Sequence, residues 1–434
     1  MTRRQLLSLA ACTPLVRAAS AADHTLTISE ISAEIGKGRT VRTLAYNGQV
    51  PGPLLRMKQG RMTAVEVINE TRMPEMVHWH GFHIPPEVDG AHEEGTPMVQ
   101  SRSRRTYEFI PTPAGTRWYH THAMAGHDLK IGSYSGQFGM VIVEPASDPA
   151  RYDVEVPLLL HEFDPYFQTS DAMDLSYRLF TVNGRMLGSG EPVRVRSGQR
   201  LLLRILNASA TLDHKLALAG HTFQVVALDG NPVASPRSVP VIHLGPGERA
   251  DAIVECGNPG VWIFGELDAA QRTAGAGIVF EYAGARSKPL WNNPPAFEWQ
   301  YADFARSEAS PAAAHRIPIV IEPGKNGNLW AINGRSWPDT PEIPLIAGVR
   351  NRLVFDNRGH MDHPVHLHRH TMELATVDGK PMSGLFKDVI WVPAHKVVEA
   401  DIAQVSAGPS LFHCHQQFHM DFGFMALMRG SAAR

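Results

Sequence analysis

The 434-residue chain is long enough for about three domains of ordinary size, and at 43% hydrophobic content it can bury a core in each. A formal net charge of -2 with only 19% charged residues leaves neither nucleic acid nor an anionic membrane as an evident partner. The compositional anomaly is histidine, 22 residues against three cysteines, Cys12, Cys256 and Cys414.

The first element, residues 1–22, has the form of a twin-arginine export signal: Arg3-Arg4, a short apolar stretch, then small residues up to Ala22. It predicts a periplasmic or otherwise exported protein with the twin-arginine export machinery as a partner. The competing readings are a tail on a cytoplasmic protein, or a lipoprotein box at Leu9-Ala10-Ala11-Cys12, whose preceding apolar run is short for that purpose. No other stretch reaches about eighteen apolar residues, so no transmembrane segment is expected. If Cys12 leaves with the leader, a disulfide would have to consume Cys414, and none is expected.

Past the leader, one frame recurs three times: Asn47-Gly48 with Gly60 and Asn69, Asn183-Gly184 with Gly198 and Asn207, Asn333-Gly334 with Gly348 and Asn357. Short β-branched or alternating runs surround these marks, such as Thr63-Ala-Val-Glu-Val-Ile68 and Arg352-Leu-Val-Phe355. The pattern predicts an all-β chain of three tandem sandwiches over 23–148, 149–290 and 315–434, with 291–314 as a linker.

The repeats differ in their side chains. Nine and eleven positions after the last asparagine lie His78 and His80 in the first, Leu216 and Leu218 in the second, His366 and His368 in the third. Further on, Ala114-Gly115 leads to His120-Thr-His122, Gly260 to Gly265-Glu-Leu267, and Ala407-Gly408 to His413-Cys-His415. In a strand His413 and His415 face one way and Cys414 the other, so one tripeptide can serve two metal sites. A thiolate among imidazoles favours copper, although that segment alone also suits zinc or buried histidines. Core histidines have no reason to recur at matching offsets, and the eight imidazoles of the outer repeats can converge between them.

His78-Trp-His80-Gly, Trp118-Tyr-His120-Thr-His122, His363-Pro-Val-His366-Leu-His368 and His413-Cys-His415 with His419 resemble the copper motifs of three-domain multicopper oxidases of bacterial laccase type. The resemblance spans essentially the whole mature chain and implies three cupredoxin-like Greek-key domains holding four copper ions. It implies a type 1 ion on His363, Cys414 and His419, and a type 2 ion on His78 and His366. The type 3 pair would sit on His80, His120 and His415, and on His122, His368 and His413. Electrons from a small-molecule reductant, such as a phenol, would enter near an exposed histidine of the type 1 site. Four would pass through Cys414 to the cluster, reducing O2 to two waters, with Asp89 in Glu87-Val-Asp-Gly90 as proton donor.

Two positions depart from that pattern. Ten residues past Cys414, where an axial methionine is common, stands Phe424, which cannot ligate; Met425 follows it and would reach the copper only after a one-residue slip. Met420 replaces a glutamate often found after His419, leaving Asp89 more exposed as the proton source. Cys256 reads as a buried small residue, Arg102-Ser-Arg-Arg105 as a solvated face, and His83, His92, His127 and His370 as histidines off the ligand frame. Met361, Met372, Met420, Met425 and Met428 form no dense tract and read as core. The competing functions are oxidation of cuprous or other metal ions for copper tolerance, a non-enzymatic exported scaffold on the same fold, and a copper nitrite reductase. Retention of every histidine and of Cys414 argues against the scaffold, and three repeats with paired His-x-His units argue against the nitrite reductase, whose family has two domains and lacks that set.

Overall fold

The computed structural model describes residues 22–147, 151–168, 175–325 and 329–430. The export signal therefore lies almost wholly outside the described residues. About half of the described residues are strand, and among them the strands form six sheets, two to each repeat. In the first repeat His24–Gly36 pairs parallel with Thr63–Asn69, and Val77–His80 pairs antiparallel with Gly115–Thr121. The third repeats this, with His315–Pro323 beside Asn351–Asn357 and His363–Leu367 beside Gly408–Cys414. No helix among the described residues is long and apolar enough to cross a membrane.

The recurring asparagines have a mechanical reason. Asn47, Asn183 and Asn333 sit at φ 52°, 53° and 52°, each followed by a glycine also at positive φ, the geometry a tight type I′ turn demands. Each side chain then bridges the repeat's first strand, accepting from Thr27, Leu159 or Val320 N–H and donating to Thr25, Pro157 or Pro318 at 2.6–3.1 Å. The second set, Asn69, Asn207 and Asn357, is buried and clamps two loops together. Their amides donate to Met73, Leu212 or Met361 O, each at 2.8 Å, and across the gap to Val99, Leu244 or Val392 O.

These clamps expose a one-residue difference. Asn69 and Asn357 reach the fourth residue onward, Asn207 the fifth, so the middle loop carries one more residue. Strand register agrees: Val77 faces Thr121 and Val365 faces Cys414, whereas Leu216 faces Glu266. The residues in the frame of His366 and His368 are thus Ala217 and Ala219, not the Leu216 and Leu218 reached by counting, and His214 stands where His363 stands. The middle repeat still lacks the histidine pairs, but its counterpart of the Cys414 site is filled by a buried triad. His214 Nε2 lies 2.7 Å from Glu162 and Nδ1 lies 3.0 Å from Glu266. The first repeat has Glu75 and Thr121 at that place, Glu75 being pushed up to about 7 by burial against the opposing pull of Gln137 and Thr121.

Burial alone would depress His214, but the two carboxylates outweigh it and raise the imidazole to about 10. A cation favoured by folding stabilises fully below the unfolded histidine value, about 6.5, and that contribution fades as pH climbs through about 10. Replacing His214 strands two buried carboxylates. His214→Leu is expected to cost about 3–5 kcal/mol at neutral pH in denaturant melts, with a smaller deficit near pH 10; an unchanged melt would contradict the triad's role.

Candidate metal centres

Cys414 ends the strand Gly408–Cys414, and its thiol points into the core with Val365 and Phe424, where it is fully buried. Two imidazoles converge on it. Sγ lies 3.4 Å from His419 Nδ1 and 3.6 Å from His363 Nδ1, and those two nitrogens are 3.1 Å apart. Burial, then the neighbouring His419, drives His363 well below its usual range, and burial takes His419 to about 3, so both rings are neutral donors. Burial pushes the Cys414 thiol up, so losing its proton requires a cation in its place.

On the opposite strand face, His413 and His415 enter a second group. It contains His78, His80, His120 and His122 from the first repeat and His366, His368, His413 and His415 from the third, all buried. His78 stacks on His368 and His80 on His366, each pair with centroids 3.8 Å apart, so the repeats interleave ring by ring. His413 Nε2 lies 3.0 Å from His368 Nε2 and 3.5 Å from His122 Nε2. His415 lies 5.0 Å from His80 and 5.3 Å from His120, centroid to centroid. Burial, reinforced by neighbouring imidazoles, holds His80, His120, His122, His366, His368, His413 and His415 well below the usual range. Neutral imidazole is the metal-binding form.

The outer ring nitrogens are tied to protein oxygens. His120 Nδ1 contacts Thr121 O and His413 Nδ1 Cys414 O, both at 2.8 Å; His366 Nδ1 contacts Asp388 O at 2.7 Å, and His78 Nδ1 contacts Asp89 O at 3.0 Å. Opposite them, His78, His120 and His366 Nε2, His80 Nδ1 and both nitrogens of His415 are buried without a protein partner. Buried imidazole nitrogens, most fixed from behind and unpaired in front, next to a thiol with two imidazoles, fit copper.

Two acids hold the rings. Asp89 closes the short helix Pro86–Asp89, fully buried; its Oδ2 sits 2.8 Å from His368 Nδ1 and 3.2 Å from His78 Nδ1, while Oδ1 has no partner. Nearby, burial and then Asp89 push the Glu94 carboxyl well above its usual range, and Glu94 accepts from Leu411 N–H. Asp388 was not foreseen. Its Oδ1 contacts His80 Nε2 at 3.0 Å, and Arg249 of the middle repeat bonds both its oxygens at 2.6 Å. Burial would raise it, but Arg249 outweighs that and holds Asp388 near about 2. An acid immediately before the apolar run Val389-Ile-Trp-Val392 is the signal that could have flagged it. Gly81 must be glycine beside this pair: it has φ 85°, and a Cβ would lie 2.7 Å from Asp388 Oδ2.

Phe424 packs 4.9 Å from the His363 ring. Met425 pairs with His413 and packs with Ala91, Leu411 and Met420, away from Cys414. Trp330, also unforeseen, stands edge-on to His363 at 4.4 Å and 4.7 Å from His419. The expected exposed histidine is absent: His363 is 0% and His419 2% exposed, with Trp330 packed against both. His419 instead lines a cavity of about 370 Å³ shared with Asp213, Met361, Asp362 and Phe418.

The remaining candidates lie outside both groups. His83 bonds Thr371, His370 bonds His368 O and Ser406 N–H, His127 packs on Phe422, and His92 lies exposed at the start of the short 3-10 helix His92–Glu94. Cys256 is a buried free thiol. Met372 and Met428 pack in the core; Arg104 pairs with Glu66, and Arg105 bonds Glu87 O.

Multicopper oxidase family models match residues 27–148, 161–283 and 313–433, together most of the chain. Multicopper oxidase MmcO of Mycobacterium tuberculosis is 28% identical over 441 aligned residues, covering 92% of this chain and 85% of that one. Bilirubin oxidase of Albifimbria verrucaria is 26% identical, covering 88% and 72%. A variant of the laccase from B. aclada shares the fold, with a TM-score of 0.81 at 19% identity over 95% of this chain and 88% of that one. With buried imidazoles and a thiol arranged to bind copper, and all three repeats matched, the chain belongs to the multicopper oxidases, copper-dependent oxidoreductases that use O2 as acceptor.

Proposed function

We propose that the chain is an exported oxidase of laccase type that takes single electrons from phenols or similar small donors and delivers them to dioxygen. The observation that carries this reading is Cys414 itself. Its thiol converges with two imidazoles on one face, while its neighbours His413 and His415 enter the eight-histidine group on the other. On this reading His363, Cys414 and His419 hold one copper, and His78 and His366 a second. His80, His120 and His415 hold a third, and His122, His368 and His413 a fourth; the short contacts among the last three support that grouping. Copper bound there supplies one-electron acceptance at the thiolate and four-electron reduction of O2 to two waters at the cluster.

The chain's own residues do the rest. Cys414 is covalently joined to His413 and His415, so the route between the sites runs through bonds. The cavity at His419 offers Leu212 and Phe418 to an aromatic ring and Asp213 and Asp362 to a donor hydroxyl. Asp89, with Oδ1 buried and unpartnered, is placed to hold a proton beside the cluster, and Met420 offers none. The twin-arginine form of residues 1–22 supports export to the periplasm or beyond.

Oxygen uptake by the copper-loaded protein, with a methoxyphenol and with cuprous ion under matched conditions, tests the reading. We expect a blue protein that consumes O2 with the phenol; a colourless product after full loading, or turnover confined to cuprous ion, contradicts it. A second outcome concerns Phe424, whose ring packs 4.9 Å from His363 and offers no donor to an ion that His363, Cys414 and His419 would hold. Phe424→Met is expected to lower the reduction potential of the blue site and Met425→Leu to leave it in place. No fall in the first, or a shift in the second, would count against this geometry.

A further inference from the structure

We propose that His360 and His395 form a further metal-binding site, an exposed two-imidazole chelate for a first-row transition ion, on the rim of the cavity that His419 lines. His360 Nδ1 and His395 Nε2 are 3.1 Å apart, with ring centroids 4.8 Å apart and planes at 75°. Two nitrogens bound at about 2.0–2.1 Å to one ion, between right-angle and tetrahedral geometry, lie about 2.8–3.4 Å apart. The interior pairs give the same spacing: 3.1 Å for His363 with His419 and 3.0 Å for His368 with His413.

The pair is built, not accidental in its loops. Asn357, 1% exposed, clamps both: its amide donates to Met361 O beside His360 at 2.8 Å and to Pro393 O in the turn of His395 at 3.1 Å. Asp362 Oδ1 accepts from Ala394 N–H at 2.7 Å and ties the same two loops a second time. The other repeats show that the fold does not require histidine here. The position of His395 needs a left-handed backbone, with φ 59°; its counterparts are Arg102 at φ 57° in the first repeat and Gly247 at φ 84° in the middle one. The place of His360 is taken by Arg72 in the first repeat. Where glycine satisfies the turn most easily, the third repeat carries an imidazole opposite a second imidazole. Both rings are exposed, so water can complete the coordination of a bound ion, and imidazole donors favour copper, nickel or zinc.

Nickel ion alone, titrated calorimetrically into the full chain after copper loading and removal of exposed copper with a chelator, tests the site, because nickel does not outcompete copper for the buried interior donors. Wild type should bind one equivalent more than His360→Gln and one more than His395→Gln, with the visible copper absorption the same in all three. Nickel held by other surface groups appears equally in every titration and cancels. Equal stoichiometry and affinity in wild type and both variants would overturn the proposal. The count is read from heat, independently of oxygen uptake, so a failed oxidase assay does not imitate a failed site.

Discussion

The histidine cluster depends on one buried carboxylate. Asp388 belongs to the third repeat, holds His80 of the first through its side chain and His366 through its own carbonyl, and is gripped on both oxygens by Arg249 of the second. Arg117 of the first repeat approaches the same carboxylate at 3.4 Å and donates to Asp229 O of the second. Burying such charges costs several kcal/mol per ion unless every lone pair and proton is met, and here the partners come from all three repeats. The arrangement is therefore satisfied only when the three sandwiches are docked. The middle repeat, which carries none of the paired histidines, braces the cluster: Arg249 fixes Asp388, and Gly247 presses so close to His415 that a Cβ would lie 2.8 Å from its ring.

The same polar place recurs in each sandwich with different occupants. Glu75 and Thr121 hold it in the first, Glu162, His214 and Glu266 in the second, and His363, Cys414 and His419 in the third. The first two are closed by hydrogen bonds or ion pairs of the protein's own. Only in the third do a thiol and two neutral imidazoles meet with their donor atoms directed at one another, an arrangement that asks for a cation.

Much of this was legible because its causes are local. The Asn-Gly turns and the clamping asparagines are short-range devices, so they leave a repeat in the sequence, and strand alternation sends Cys414 and its flanking histidines to opposite faces. Alternation also separates Phe424 from Met425, since Met425 pairs with His413. What escaped is long-range. Asp388 and its arginines are 139 and 271 residues apart, and no spacing rule connects them. The extra residue after Asn207 slid the middle frame by one, a shift visible only once Leu216 is found opposite Glu266. The packing of Trp330 against His419 is likewise a contact between distant segments.

The central claim is that one strand serves two copper sites on its two faces. Anomalous diffraction at the copper edge from crystals of the copper-loaded protein tests it most directly. The account predicts one peak among Sγ of Cys414 and Nδ1 of His363 and His419, and three more enclosed by the eight histidines. Absence of the peak at Cys414, or an empty histidine cluster beside an occupied Cys414, would contradict it.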